Sequence, residues 1–195
     1  NIHYLPLDLT KESSFDQTKE YISRHTSTLD IVANFAGTIV MGSTVETAFL
    51  KIDHCFQVNI LGMIKLNATL FSFVKSAKGR YINISSEYAR LLSLPFHSLY
   101  TMNKHAVDVY TNGLRRELYH FGISVVGIRP GAFQTNMTFQ IENAFDKLVQ
   151  ESLYFKDILI QLKDMMESEL AHAKSTKLFV RTFKKAAFTR KPRRF

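Results

Sequence analysis

Tyr100 and Lys104 are the residues whose types and spacing first suggest chemistry in this sequence. Side chains four positions apart on a helix share one face, so the Lys104 ammonium would lie one turn from the Tyr100 phenol. A free tyrosine titrates near ~10, and a neighbouring positive charge lowers that value. A serine hydroxyl from a strand end, at Ser85 or Ser86, could then hold a substrate oxygen against the phenol. Such a group suits proton transfer between an alcohol and a carbonyl, although the same spacing also arises by chance on many helices.

Short apolar runs alternate with longer helical patterns along the chain. Strands are predicted at 2–7, 29–33, 80–84 and 123–128, and helices at 12–24, 45–73 (one or two), 98–120 and 143–177. Thr10, Ser13 and Ser14 are candidate N-caps of the first helix, and Gly122 is placed to end the 98–120 helix in a left-handed conformation. Strands separated by helices predict an α/β fold, a doubly wound parallel sheet with helices on both faces, in a single domain over 1–195.

Composition favours an ordinary globular domain. The chain has 195 residues, of which 46% are hydrophobic and 22% charged. No stretch approaches the ~18 uncharged apolar residues that a membrane span needs, so none is expected. Cys55 is the single cysteine and cannot form an internal disulfide. It is interpreted as a small apolar filler, in keeping with a reducing cytoplasm.

The net charge of +8 could indicate a nucleic-acid partner. A module that binds through this charge would show steeply salt-dependent affinity. The positive residues, however, concentrate in the last stretch of the chain, and no groove-reading motif accompanies them. They are Lys174, Lys177, Arg181, Lys184, Lys185, Arg190, Lys191, Arg193 and Arg194. A solvated basic tail is the favoured interpretation, with no nucleic-acid partner.

Further motifs lie at predicted strand ends and inside one helix. Asn34-Phe35-Ala36-Gly37 follows a buried strand, where small residues let a ligand approach the backbone; an ordinary strand-to-helix turn is the alternative. Asn59 lies inside a helical stretch, which indicates either a local disruption that frees a carbonyl or an exposed polar position. Ser85-Ser86 ends one predicted strand. Pro130-Gly131 interrupts another predicted strand, and Thr135 follows five positions after Pro130. As isolated features, both pairs are common turn residues.

Taken in order, these motifs resemble the short-chain dehydrogenase/reductase family in its shorter, single-domain branch. The resemblance runs from about Leu5 to Thr135. The segments 104–107, 114–118 and 121–123 look like members that act on steroids, retinoids or other apolar alcohols and ketones.

The resemblance implies NAD or NADP as cofactor, hydride transfer to or from a small-molecule alcohol or carbonyl, and no metal. It implies that Tyr100 is the general acid/base, that Lys104 lowers the tyrosine pKa and binds the nicotinamide ribose, that Ser86 orients the substrate oxygen, and that Asn59 anchors a relay water. The implied cofactor-binding residues are Asp8 and Leu9 at the adenine, Asn34, Ala36 and Gly37 along the adenosine side, Tyr100 and Lys104, and Pro130, Gly131 and Thr135 at the nicotinamide end.

Two features depart from the family pattern within the matched part. Phe35 replaces the second asparagine of the usual Asn-Asn-Ala-Gly, and the gap from Ser86 to Tyr100 is one residue longer than common, so Ser85 stays an alternative. The loop between Ser86 and Tyr100 is expected to border the substrate pocket and is apolar, containing Leu91, Leu92, Leu94, Pro95 and Phe96. Residues 138–180 are expected to form a substrate lid. Its apolar residues either line the pocket or simply pack the helices: Phe145, Leu148, Leu153, Tyr154, Phe155, Ile158 and Leu159.

The family's opening segment is missing from the sequence. The eight glycines contain no G-x-x-x-G-x-G, and no strand–turn–helix unit precedes Asn1. We therefore expect these residues to be part of a longer chain, whose first βαβ segment would also decide between NAD and NADP. The alternative is a non-catalytic relative that does not bind dinucleotide. The family resemblance further implies a homodimer or homotetramer.

Overall fold

The computed structural model describes residues 2–192, apart from the side chains at 136–140, 142, 164, 166, 167, 169 and 170. Seven α-helices and three strands are formed by the described chain. They are α1 Glu12–His25, β1 Ile31–Asn34, α2 Phe49–Phe56, α3 Met63–Ala77, β2 Arg80–Ile84, α4 Ser98–Leu118, β3 Ser124–Ile128, α5 Asn136–Glu151, α6 Lys156–Ala171 and α7 Thr176–Phe188.

The three strands form one parallel sheet in the order β1-β2-β3. Ile31 pairs with Arg80, and Arg80 pairs with Ser124, so the strands start level and their carboxyl ends lie at one edge. Each is short, apolar and rich in β-branched residues, as strands covered on both faces usually are. The prediction of a doubly wound α/β fold is confirmed, with strand bounds correct to within two residues.

The predicted strand at 2–7 is wrong. These residues are extended but join no sheet within the described chain, and Ile2 and Tyr4 are 82% and 88% exposed. An apolar run becomes a strand only where a neighbour accepts its backbone hydrogen bonds, and this run has no such neighbour among residues 2–192.

The predicted N-cap of α1 is also wrong. Lys11 occupies the cap position and makes no side-chain cap bond. Ser14 instead uses its hydroxyl to accept from the backbone N–H of Asp8, and Thr10 donates its hydroxyl to the Asp8 carboxylate. The polar residues that looked like caps therefore close the turn before the helix.

Helices cover both faces of the sheet, as predicted. On one face α3 and α4 pack with Val32, Tyr81 and Val125 in a buried apolar cluster. On the other face α7 contributes Ala186 and Ala187 to a cluster with the strands. Gly122 follows α4 with φ of +72°, which confirms the predicted left-handed end.

The helical stretch from Phe49 to Ala77 is continuous but changes its winding at Asn59. Residues Gln57–Gly62 form a π-helical segment between α2 and α3. Asn59 is buried there, so of the two interpretations the local disruption is confirmed. By length and composition alone this stretch could cross a membrane, contrary to expectation, but 44% of its most apolar window is buried against the rest of the domain.

The expected lid consists of α5, α6 and the start of α7, and part of it lies outside the described side chains. Phe145 and Leu159 are buried with Met41 in a separate apolar cluster. Glu46 stabilises the turn between α5 and α6. Its carboxylate accepts hydrogen bonds from the Ser152 hydroxyl and from the backbone N–H groups of Leu153 and Tyr154. The helix-packing interpretation of the lid's apolar residues is therefore correct for Phe145 and Leu159.

Asparagines connect the sheet to α3 and α4 through buried hydrogen bonds. The Asn34 amide donates to Asn67 at 2.9 Å and to Asn83 at 2.8 Å, and Asn83 donates to Thr111 at 3.0 Å. Unpaired polar groups are costly in a protein interior, whereas paired ones fix a unique arrangement. The network holds the carboxyl end of β1 at a defined distance from α4.

Candidate active site

A cavity of about 280 Å³ opens at the carboxyl ends of the strands, between α4 and the segment that follows β3. We call it the Tyr100 cavity. Ligands bind at this edge of doubly wound sheets, outside the strand ends. The residues that line it are Phe35, Gly37, Ile39, Met41, Ile84, Ser85, Ser86, Glu87, Tyr88, His97, Tyr100, Lys104, Pro130, Gly131, Ala132, Phe133, Thr135, Ile141, Thr176 and Phe179.

The two serines at the end of β2 have different partners. The Ser86 side chain lies close enough to the Tyr100 phenol to lower its pKa, and the Ser86 hydroxyl accepts from the Tyr88 backbone N–H at 3.3 Å. Ser85 donates its hydroxyl to the backbone carbonyl of Lys104 at 3.1 Å. Ser86 therefore faces the phenol while Ser85 ties the strand to α4, which favours Ser86 over Ser85 as the substrate-orienting residue.

Tyr100 is buried, and burial raises the pKa of its phenol because a phenolate would lose its water. The Ser86 side chain opposes this rise, and Cys55 and the negative charge of Glu87 add to it. The expected lowering of this pKa by Lys104 is not what the structure gives. The Lys104 Nζ lies 5.7 Å from the centre of the phenol ring, and the largest influence on the phenol's pKa is desolvation. Tyr100 is therefore a protonated acid in this site.

Lys104 is buried on the same face of α4, and burial lowers the pKa of its ammonium to about 8, although Asp108 one turn away opposes the shift. Its Nζ has one long hydrogen bond, 3.4 Å to the carbonyl of Ile84. An ammonium has three donors, so Lys104 retains capacity for a ligand's oxygens.

Lys104→Met is expected to stabilise the protein at pH 7 by up to about 3 kcal/mol, because a buried charge is replaced by an apolar chain of similar length. The unfolded lysine keeps its proton up to a pKa near 10.5, whereas the folded one loses it near 8. The unfolded state thus binds more protons in that window, and wild-type stability should rise with pH between about 8 and 10.5.

Urea unfolding across that pH range measures the effect. Lys65→Met is the matched control, since Lys65 pairs with Glu12 at the surface. A pH-dependent rise that survives in Lys104→Met would contradict the assignment of the titration to this residue.

Asn59 and Gly37 meet beside Lys104. The Asn59 side chain accepts from the Thr38 backbone N–H and donates to the Thr38 carbonyl, both at 2.8 Å. A Cβ added at Gly37 would lie 3.4 Å from Asn59 Oδ1 and 3.9 Å from Lys104 Nζ. Asn59 thus anchors the turn after β1, and glycine keeps the backbone close to the lysine.

Pro130, Gly131 and Thr135 follow β3 and form another wall of the Tyr100 cavity. The Pro130 carbonyl accepts from the Glu87 backbone N–H at 2.9 Å, which fixes the two strand ends together. A Cβ at Gly131 would come within 2.8 Å of a Glu87 carboxylate oxygen. Backbone hydrogen bonds between Lys174 and residues 132 and 134 hold this segment in place.

Of the residues predicted for the adenine and adenosine side, Gly37 lines the cavity, whereas Asp8, Leu9, Asn34 and Ala36 do not. The Asp8 carboxylate accepts from Thr10, and Leu9 packs against Gly62. The Asn34 amide belongs to the buried asparagine network, so only its backbone could touch a ligand. The described residues therefore fit the nicotinamide and ribose end of a dinucleotide, through Gly37, Lys104 and the 130–135 segment, and fit the adenosine end less well.

The structure adds cavity residues that the sequence did not single out. Glu87 directly follows Ser86, and Tyr88 follows Glu87. His97 lies three positions before Tyr100 and stacks on Tyr88 with ring centres 5.5 Å apart. Their closeness to Ser86 and Tyr100 along the chain was the available signal. The loop between Ser86 and Tyr100 thus borders the cavity, as expected, through these three residues, whereas its apolar stretch 91–96 is not among the lining residues.

The family model for short chain dehydrogenases matches residues 1–145. The chain belongs to this family. Solved structures of the same fold include two proteins in complex with NADP, at 23% and 21% identity.

Individual relatives agree with this assignment. A rat 17-beta-hydroxysteroid dehydrogenase type 6 is 31% identical over 140 residues, and mouse retinol dehydrogenase 16 is 35% identical over 136. Both alignments cover 68% of this chain, which spans only 42% of each relative's length. A short-chain dehydrogenase from Streptomyces avermitilis has the same fold, with a TM-score of 0.78 over 97% of this chain and 67% of that protein, at 22% identity.

Proposed function

We propose that this short-chain dehydrogenase chain is the catalytic part of an NAD(P)-dependent oxidoreductase that interconverts an alcohol and a ketone or aldehyde. The observation that carries the proposal is the one cavity that brings Ser86, Tyr100 and Lys104 together, with Ser86 lowering the pKa of the Tyr100 phenol. The bound nicotinamide would supply or accept the hydride.

In the direction of carbonyl reduction, Tyr100 would donate its phenolic proton to the substrate oxygen while Ser86 holds that oxygen by a hydrogen bond. The raised pKa of Tyr100 keeps this proton in place before reaction. Lys104 would bind the ribose hydroxyls through its remaining donors and stabilise the phenolate that forms. Asn59 would keep the backbone at Thr38 fixed beside a relay water, and Gly37, Pro130, Gly131 and Thr135 would border the nicotinamide and its ribose.

A largely apolar substrate is proposed. The cavity lining is mainly apolar and includes Ile39, Met41, Ile141, Phe133 and Phe179. The names of the two relatives, a hydroxysteroid and a retinol dehydrogenase, agree with this substrate class. We propose residues 138–180 as the lid, since Ile141, Thr176 and Phe179 reach the cavity from that segment.

A cytoplasmic location and a homodimer or homotetramer complete the proposal. The buried free thiol of Cys55 supports a reducing compartment, and burial raises its pKa to about 11, so it is unreactive. The oligomer follows from the family resemblance alone.

A non-catalytic relative is the second candidate. Asp8, Leu9, Asn34 and Ala36 do not line the cavity, which would suit a chain that no longer holds the adenosine end of a dinucleotide.

Titration of NADH and NADPH against the natural full-length protein separates the two candidates, with nicotinamide fluorescence as the signal. We expect saturable binding of one nucleotide, weakened at least tenfold in Lys104→Met and unchanged in the surface variant Lys65→Met. Binding of neither nucleotide would favour the non-catalytic relative.

A further inference from the structure

His97 lies at the mouth of the catalytic cavity but has no role in the proton transfer described above. It is the residue before α4, is only 8% exposed, and lines the Tyr100 cavity. Its ring stacks on Tyr88 at an interplanar angle of 4°, and Tyr88 meets Tyr100 edge-on with ring centres 5.8 Å apart. One aromatic ring thus separates the imidazole from the phenol.

The hydrogen bond at one ring nitrogen fixes what the other can do. His97 Nδ1 lies 2.9 Å from the carbonyl oxygen of Pro95. A carbonyl only accepts, so Nδ1 carries the proton, and in the neutral imidazole Nε2 is an acceptor. Within residues 2–192, no bond of the described chain engages Nε2, and it is not among the polar atoms sealed without a partner. Nε2 therefore has a lone pair available, on a residue that lines the cavity.

A second hydrogen-bond acceptor lines the same cavity. The Glu87 carboxylate, which accepts hydrogen bonds but donates none when ionised, lies beside Gly131. Other residues that line the cavity are apolar, among them Met41, Ile141 and Phe179. A substrate that is hydrocarbon apart from its reacting oxygen would displace the water that donates hydrogen bonds to these acceptors and would offer no donor in its place. The loss of those hydrogen bonds would weaken binding.

We propose that the preferred substrate carries, besides the reacting alcohol or carbonyl, a second hydrogen-bond donor such as a hydroxyl, and that His97 Nε2 accepts from it. The inference rests on the proposed oxidoreductase function and narrows its substrate class to apolar hydroxy-ketones and diols. The Glu87 charge disfavours substrates with a carboxylate at the same place, because like charges repel. His97 is then a specificity-determining residue.

Matched pairs of fused-ring ketones test this inference on the full-length protein with its cofactor. Each pair is a hydroxylated ketone and its deoxy analogue, with the hydroxyl moved through several ring positions. We expect kcat/KM about ten- to hundredfold higher for the hydroxylated member of at least one pair, as a pocket acceptor left unpaired rejects the analogue. The ratio should fall towards one in His97→Phe, which keeps an aromatic ring against Tyr88.

Two controls separate specificity from folding. His97→Gln retains an acceptor and should keep part of the preference. His105 lies on α4, the helix that follows His97, and is similarly bonded to a backbone carbonyl at 3.0 Å, but it does not line the cavity. His105→Phe should therefore keep all of the preference and turn over the deoxy ketone at a rate within a few-fold of wild type. The circular dichroism of His97→Phe should match that of the wild type.

A measurement independent of turnover is the ¹⁵N resonance of His97 Nε2, assigned by its loss in His97→Phe. It should start at the value of an unprotonated nitrogen and move upfield with the hydroxylated ketone but not with its analogue. Equal turnover of all pairs, with an unmoved resonance, overturns this inference and leaves the oxidoreductase proposal standing. Turnover of neither member overturns the oxidoreductase proposal, and the resonance then decides whether His97 still binds the hydroxyl.

Discussion

Tyr100→Phe is expected to lower kcat for reduction of an apolar ketone by about 10²- to 10⁴-fold, the usual contribution of a positioned general acid. The substitution removes one oxygen atom and keeps the ring that Tyr88 contacts edge-on. It also removes the hydroxyl that lies close to Ser86, so the substrate oxygen loses its proton donor. Cofactor affinity should change little, because the ribose contacts are assigned to Lys104.

The natural control is Tyr110→Phe. Tyr110 lies on the same helix, and its hydroxyl accepts from the Asn67 side chain at 3.2 Å, outside the Tyr100 cavity. Burial raises the pKa of both phenols. The two variants therefore remove the same kind of hydroxyl, and only the Tyr100 hydroxyl belongs to a residue that lines the cavity. Initial rates with saturating cofactor and circular dichroism of each variant give the comparison. A Tyr100→Phe rate within tenfold of wild type would remove the general-acid role from this residue.

The sequence was sufficient to predict the sheet and the helix that carries Tyr100. Strand β2 and helix α4 were predicted almost to the residue, because Arg80–Ile84 is a compact apolar run and Gly122 marks the end of a periodic helix. These are local signals, carried by residues close together in the chain. The strand at 2–7 failed because pairing is not local, and an apolar run does not say whether a neighbour is present.

The site was predicted in part, for a similar reason. Spacing placed Ser86, Tyr100 and Lys104 together, and the structure brings them to one cavity. Spacing could not say that the Asn34 amide turns into a buried network or that Asp8 bonds its own turn, since both depend on distant or small geometric choices. Sequence spacing also could not predict that the pKa of Tyr100 is raised, because the burial that raises it depends on how the whole chain packs.

Packing also decided what lies around the reacting centre. The apolar loop 91–96 looked like a pocket wall, but Leu92 is solvent-exposed and Phe96 packs on Phe155 of the lid region. The wall is made instead by Ile39 and Met41 after β1 and by Phe179 at the start of α7. Apolar character predicts that a residue avoids water but not which of several apolar surfaces it joins.

The largest expected effect on stability comes from breaking a buried ion pair between α4 and the end of β3. Arg129, directly after β3, donates to Asp108 on α4 through Nε and a terminal nitrogen, each at 2.5 Å from Oδ2. The two side chains are only 14% and 8% exposed. Asp108→Ala would leave a guanidinium in a low-dielectric setting without this partner, which typically costs about 3–5 kcal/mol. It would also remove the charge that opposes the lowered pKa of Lys104, one turn away.

Urea unfolding of Asp108→Ala, Glu151→Ala and the double variant Asp108→Leu/Arg129→Met tests this prediction. Glu151 pairs with Lys51 at 3.8 Å on the surface, with both side chains more than half exposed, so its loss should cost less than about 1 kcal/mol. The double variant should recover most of the stability lost in Asp108→Ala, because the penalty comes from a buried guanidinium that has lost its carboxylate rather than from the absence of the pair. Equal losses in Asp108→Ala and Glu151→Ala would show that the Arg129 guanidinium reaches water. A double variant as unstable as Asp108→Ala would instead assign the loss to packing between β3 and α4.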